Sequence, residues 1–424
     1  MSRFSIFEHI DLAIISDESS TVKASKSPSA WPSEASAIRV DKSFYNIYGT
    51  CLRKAFYRMI GWPKKEETSA EGPWKWVIGR AVENKVTDLC VLAQAGDNNE
   101  SLYVANGVKH YIRDLYLSIE MDIIVRDPAT NRGWILECKS YDGYFAEKQI
   151  ETEMKPKEEN LIQLCIYLWA ARTGKGLKEI IHKSLDDRAK LDALGKPHRN
   201  RAEANLDILD KMDDGPLGAK LIYISRGTCN RTEFDVEIMQ DHDGFHYPMV
   251  NGMPYRIFTV ESIYDRFVTL QSYWFRARQQ AYEILSDQGV LAPPTLNLLM
   301  TRGDVPEDMT VYRDLTKQEW TTEKAYLEQL EETVRTLHDE YFPPPEYEYS
   351  YSADRIKRMG AAKLIGKTKL KEWNDGKINR LGDWQCSYCP FAATGCVARQ
   401  RPDLAYQLYD ISNLPDNVEV QIGA

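Results

Sequence analysis

The chain has 424 residues, with 54 Lys and Arg against 63 Asp and Glu, a formal net charge of −9. Hydrophobic residues make up 43% and charged residues 28%, which is enough apolar material for a buried core and excludes wholesale disorder. No apolar run reaches the roughly 20 residues that a membrane-spanning helix requires. Glu8 and Asp11 interrupt the apolar start, a poor signal peptide, so a cytoplasmic protein with no membrane partner is expected. The acidic balance does not exclude nucleic acid, because a local basic channel can sit on an acidic body.

Residues 1–40 read as a short apolar segment followed by a Ser/Ala/Lys/Pro-rich linker. From Ser43, SFYNIYGTCLRKAFYRMIGW places aromatics and aliphatics at helical intervals around Cys51. WKWVIGRAVENKVTDLCVLAQAG predicts a second helix, apolar at Val77, Ile78, Val82, Val86, Leu89 and Cys90, with Gly96 as its stop. LYLSIEMDIIV alternates as a strand, with Ile119, Met121, Ile123 and Val125 on one face. DPATNRG is a turn and GWILECKSY the partner strand, which together predict an antiparallel hairpin. A charged loop, EKQIETEMKPKEE, leads through Pro156 to the helix NLIQLCIYLWAART. Residues 183–215 are charged and poor in apolar residues, an exposed insertion. KLIYISRG and TEFDVEIM return to strand composition, and helices follow over about Val260–Leu285 and Lys317–Tyr341. The expected division is thus 1–40, a core over 41–235, a mostly helical region over 236–380, and a cysteine-bearing segment and tail over 381–424. No internal repeat is present.

The chemistry concentrates on the hairpin. Asp122 on one strand can approach Glu137 on the next, and Glu137 and Lys139, two apart, leave the same face. Two carboxylates and an amine at a sheet edge suit Mg²⁺ or Mn²⁺, with the Cys138 carbonyl as a further ligand. Such a metal activates water and stabilises charge on a phosphate, and Lys139 neutralises phosphate or orients the nucleophile. The plain alternative is a surface strand with alternating polar residues. Against it, Trp134, Ile135 and Leu136 make this the end of a core strand. Glu120 competes with Asp122 for the role.

With Asp122, Glu137 and Lys139 in this order, the chain resembles the PD-(D/E)xK nuclease superfamily and, within it, the RecB-like exonucleases. Glu83 in GRAVE stands where that family supplies a His or Glu to the metal. Gln163 and Tyr167, four apart on one helix face, match the family's Q-x-x-x-Y beside the active site. The resemblance implies an α/β fold with a restriction-endonuclease-like core, a mixed sheet flanked by helices, and a helical C-terminal addition. It implies Glu83, Asp122 and Glu137 as metal ligands, Lys139 as catalytic partner, and Gln163 and Tyr167 in support. The implied activity is metal-dependent DNA hydrolysis, as an exonuclease on single-stranded or end-containing DNA in replication, recombination or repair.

Cys386, Cys389 and Cys396 form C-x2-C-x6-C, and three thiolates so close can hold zinc or an iron–sulfur cluster, with a fourth ligand expected. Cys51 is the natural fourth. Its setting, GTCLRKAFY, resembles the corresponding segment of cluster-bearing RecB-like nucleases, though Leu52 replaces the usual Pro. The resemblance implies a [4Fe–4S] cluster stapling Cys51 to the C-terminal cysteines. Arg53, Lys54, Lys148, Lys155, Lys157, Arg226 and the basic stretch 355–373 are candidate DNA contacts, and the resemblance adds Tyr167 to them. Each of these cations has an equally ordinary role as a solvated surface charge. Two other functions remain open: a CRISPR-adaptation-type trimming nuclease, and a non-catalytic, cluster-stabilised DNA-binding subunit with protein partners in a recombination or replication complex. No GxxxxGK[ST] is present, so no helicase motor is expected.

Overall fold

The computed structural model describes residues 30–39, 47–63, 71–95, 100–112, 115, 117–173, 176–193, 203–213, 217–292, 317–348, 350–378, 380–392 and 396. They form two compact units, one within Ser27–Thr50 and Glu66–Gln271, the other within Cys51–Lys65 and Ser272–Ala424.

The first unit opens on a short antiparallel pair, β1 (Ser36–Ile38) and β2 (Ile47–Gly49). Helix α1 (Glu71–Leu92) and a second small pair, β3 (Gln94–Ala95) and β4 (Glu100–Ser101), follow. The centre of the unit is a seven-stranded mixed sheet: β5 (Tyr103–Ile112), β6 (Leu117–Arg126), β7 (Gly133–Tyr141), β8 (Gly218–Ser225), β9 (Arg231–Gln240), β10 (His246–Val250) and β11 (Met253–Pro254). They stand in sequence order across the sheet. Only β7 and β8 pair in parallel; a chain excursion of helices separates them, as parallel neighbours require. These helices are α2 (Tyr144–Glu147), which runs into a π-helical turn over Lys148–Thr152, then α3 (Glu158–Thr173), α4 (Leu177–Ala193) and α5 (Leu206–Lys211).

The β6–β7 hairpin forms as its turn chemistry predicts. Asp127 caps its own turn, accepting from the Ala129 amide at 3.0 Å and the Thr130 hydroxyl at 2.7 Å. One face of the hairpin packs under α1, where Ile123, Val125, Leu136 and Cys138 meet Val86 and Cys90. The central helix α3 is buried almost all round, through Leu161, Ile162, Leu164, Cys165, Ile166 and Leu168. Its start is fixed to β8, because the Lys157 amide and the Asn160 side chain both donate to the Tyr223 hydroxyl. At Gly218 the Trp134 ring lies 2.3 Å from where a Cβ would stand, so only glycine lets β7 and β8 pair there.

Several expected elements come out differently. Ile47–Gly49 is a strand rather than helix, and the helix after it begins only at Leu52. The loop after β7 is largely helical. Strands β5 and β10 were not expected; Asn106 and Gly107 break the pattern of the first, and Pro248 that of the second. The predicted apolar face of α1 is only partly used. Val86 and Cys90 pack on the sheet, whereas Ile78 and Leu89 are exposed. Its expected stop, Gly96, lies outside the described residues, as do residues 1–29 and the tail after Cys396.

In the second unit, the helix Leu52–Met59 packs Phe56 and Tyr57 against Trp62, Phe342 and Phe391, with Phe56 and Phe342 centroids 5.2 Å apart. Its N-terminus lacks a local side-chain cap, and Glu346 supplies one from a distance by accepting from the Leu52 amide at 2.8 Å. The last part of the helix Val260–Asp287 crosses Lys317–Thr336, joined by a buried Arg278–Glu331 pair. Short helices over Ala353–Ala361, Lys367–Asn374 and Trp384–Ser387 complete the unit.

The general expectation of a mixed sheet flanked by helices is therefore met. The finer one, a restriction-endonuclease-like core closed by an iron–sulfur staple, is not. Among the described residues no group of three or more His, Cys, Asp or Glu side chains is placed to hold a metal ion.

Candidate active site

The ladder between β6 and β7 ends at Ile123 opposite Leu136, so Asp122 and Glu137 are the next residues across from each other. In place of a further ladder bond, the Cys138 amide donates to Asp122 Oδ2 at 3.2 Å. Glu137 is fully buried, and Lys139 Nζ forms an ion pair with its Oε1. Lys139 and Asp122 are the polar neighbours that face it. Glu83 reaches the group from α1, which comes close to β7 because Gly79 sits against Ser140.

Electrostatics bind these four groups together. Burial, then the nearby charge of Asp122, pushes the Glu83 carboxyl up to about 7. Burial and then Glu137 hold Asp122 well above the ordinary carboxylate range. Burial also raises Glu137, and Lys139 opposes that rise. Burial works against the Lys139 ammonium, but Glu137 and Asp122 outweigh it and raise its pKa. The set therefore comprises three carboxyl groups, each raised by burial, and one lysine ammonium that they hold in its charged form.

Gln163 Nε2 donates to the Tyr167 hydroxyl at 2.7 Å on α3. The Tyr167 phenol is buried and is raised by that burial, then by Glu137 and Asp122, which puts it beside the same group. Thus Glu83, Asp122, Glu137, Lys139, Gln163 and Tyr167 converge on one end of the sheet. The Cys138 side chain points away into the apolar cluster under α1. Two neighbours were missed by sequence reasoning. Arg80, one turn before Glu83, acts on Glu83, and Tyr223 stands opposite Lys139 in the β7–β8 register. A cation at spacing three from Glu83 was the available signal for Arg80; Tyr223 carried none.

The candidate DNA contacts divide. Lys155 is exposed after the π-helical turn, and Lys148 lies 3.6 Å from Glu153. Arg53 is corrected: it is fully buried in the second unit, paired with Asp339 at 2.9 Å and donating to the Pro343 carbonyl, so it faces no phosphate. Within 355–373, Arg355 is likewise buried against Glu348, while Lys357, Arg358, Lys363, Lys367, Lys369 and Lys371 are exposed.

The cysteine cage is corrected too. Cys51, Cys386, Cys389 and Cys396 are free, and Cys51 and Cys389 both act on Cys386 and Cys396 electrostatically. Burial pushes the Cys51 thiol up to about 11 and Cys396 up to about 12, and raises Cys386 as well. They stand as half-buried thiols, and no group of three is arranged as metal ligands among the described residues. The same finding removes the Mg²⁺ or Mn²⁺ site expected of Glu83, Asp122, Glu137 and Cys138, and the [4Fe–4S] cluster. No protein-family profile matches the chain, and no curated protein is significantly similar to it. The likeness to the PD-(D/E)xK and RecB-like nucleases, which leaned on those metal sites, is withdrawn with them. Among the described residues no helix is long and apolar enough to cross a membrane.

Proposed function

We propose that the protein hydrolyses phosphodiester bonds in DNA, with Glu83, Asp122, Glu137 and Lys139 as its catalytic group. The observation that carries this reading is the convergence of the Lys139 ammonium with three carboxyl groups, the Glu137 one fully buried, at the end of a core hairpin. Groups whose environments push their proton affinities apart supply acid and base to one reaction. Lys139 neutralises a non-bridging phosphate oxygen and the charge that grows on it as water attacks phosphorus. Glu83, poised near 7, takes the proton of that water. The bond from phosphorus to the leaving oxygen breaks, and Asp122 supplies the proton that oxygen needs. Glu137 keeps Lys139 charged and fixed in place.

The test is cleavage of end-labelled single-stranded and linear duplex DNA, beside a covalently closed circle. It is run with divalent salt and again with chelator. Wild type is expected to shorten the linear substrates in at least one buffer, and Lys139→Ala and Glu137→Ala to lose that activity. Sparing of the circle supports exonucleolytic action. Undiminished cleavage by both folded variants, or none by wild type in either buffer, defeats the reading.

A further inference from the structure

Two aromatic rings stand in solvent just beyond the catalytic group. Tyr144 is 70% exposed and Phe145 85%, and their rings meet edge to face with centroids 5.7 Å apart. They open α2, directly after the C-terminal end of β7 that carries Lys139. Six residues of chain from Lys139 to Phe145 span at most about 20 Å, so the rings lie within a short stretch of polynucleotide from the reacting phosphate.

This placement is built into the fold. Gly143, at φ +93° with open space where a Cβ would stand, turns the chain out of the sheet and starts α2. Behind the rings the segment is tied down. The Tyr141 hydroxyl donates to Glu151 Oε1 at 2.6 Å and Asn230 donates to Glu151 Oε2 at 2.8 Å. A cleft of about 540 Å³, lined by Glu151, Met154, Asn230 and Arg231, lies between the π-helical turn and the start of β9. Lys155 is exposed on the stretch that follows. Large apolar rings left in water are costly in surface terms, and a pair of them beside a phosphate-seeking cation matches the two faces of a nucleotide.

We infer that Tyr144 and Phe145 form a base-stacking platform that makes single-stranded DNA the substrate of this site. The inference rests on the nuclease reading. A duplex interior keeps its base faces stacked on each other and offers the rings nothing, whereas an unpaired strand presents bases and phosphates together.

The test compares full-length wild type with Tyr144→Ala/Phe145→Ala by fluorescence anisotropy. The probes are a labelled single strand, the same strand with abasic sites, and a blunt duplex; gels confirm that each probe stays intact. Removing aromatic stacking is expected to weaken binding of the base-bearing strand at least tenfold. Abasic-strand binding and thermal melting should be unchanged, since both rings are exposed. Equal binding of the base-bearing strand by the two proteins overturns the inference. So does a wild type that binds no strand, or does not distinguish base-bearing from abasic DNA. A change in self-association with unaltered DNA binding overturns it as well, by making the rings a contact between copies. Because binding is read without turnover, failure of the platform and failure of the nuclease reading remain distinguishable.

Discussion

Replacing Lys139 with Met leaves Glu137 buried beside Asp122 and Glu83 without the cation that compensates it. Breaking a buried ion pair by removing one partner costs about 3–5 kcal/mol. Because the Lys139 side chain is 30% exposed, solvent screening places the loss near the lower end, about 3 kcal/mol. That is roughly 150-fold in the unfolding equilibrium and, for a unit of this size, about 6–12 °C in Tm. The loss must depend on pH. Glu137 and Asp122 have folded pKa values above their ordinary ones, so their proton-linked stability is full below the ordinary carboxylate range and is lost as pH rises. Removing Lys139 raises both further and steepens that loss. Thermal and urea melts of wild type and Lys139→Met at about pH 5 and about pH 8 read the difference. The full cost is expected at the higher pH and less than half of it at the lower. A cost under about 1 kcal/mol at high pH, or the same cost at both, contradicts the buried pair as described.

Three further outcomes follow from the structure. Glu83 is raised from 4.5 to about 7, so its contribution to stability is full below pH 4.5 and is lost as pH climbs through 7; Glu83→Gln should flatten that part of the wild-type pH–stability curve, and an unchanged slope counts against its burial beside Asp122. Phe342→Ala empties the aromatic cluster of Phe56, Tyr57 and Trp62 and should cost about 3–5 kcal/mol in urea unfolding, a value under about 1 kcal/mol refuting that packing. Iodoacetamide at mildly alkaline pH should label exposed Cys229 before Cys51, Cys386 and Cys396, whose thiols burial holds neutral; mass spectrometry showing Cys51 labelled first would falsify that assignment.

The hairpin was legible in the sequence because its signals agree: alternating apolar residues, a turn rich in Asp, Pro, Asn and Gly, and a second strand that is apolar from Trp134 to Leu136 before Glu137 and Lys139. Where signals conflict, the reading failed. Ile47–Gly49 carries helix-like spacing, yet pairing with Ser36–Ile38 decides its conformation. The stretch after Gly143 reads as charged loop, but Ile150 is buried and Tyr141 holds Glu151, which together favour a helical turn. Sequence order could place Glu83 in a helix, but not set it against Asp122; α1 packing on β7 does that. The cysteine spacing suggested a metal cage, whereas among the described residues the thiols are free and half-buried, with no group of three placed as metal ligands. Arg53 looked like a DNA contact because its partners, Asp339 and the Pro343 carbonyl, lie nearly 300 residues away in sequence.

The most direct test of the central claim is single-turnover cleavage of an end-labelled single strand by wild type and by Glu137→Gln. The substitution keeps the buried shape and removes only the charge that holds Lys139. Wild type should cleave, and the variant should slow by about a hundredfold or more, a typical loss when a positioned electrostatic group is disabled. Cleavage at equal rates by the two proteins, with both folded, contradicts the account.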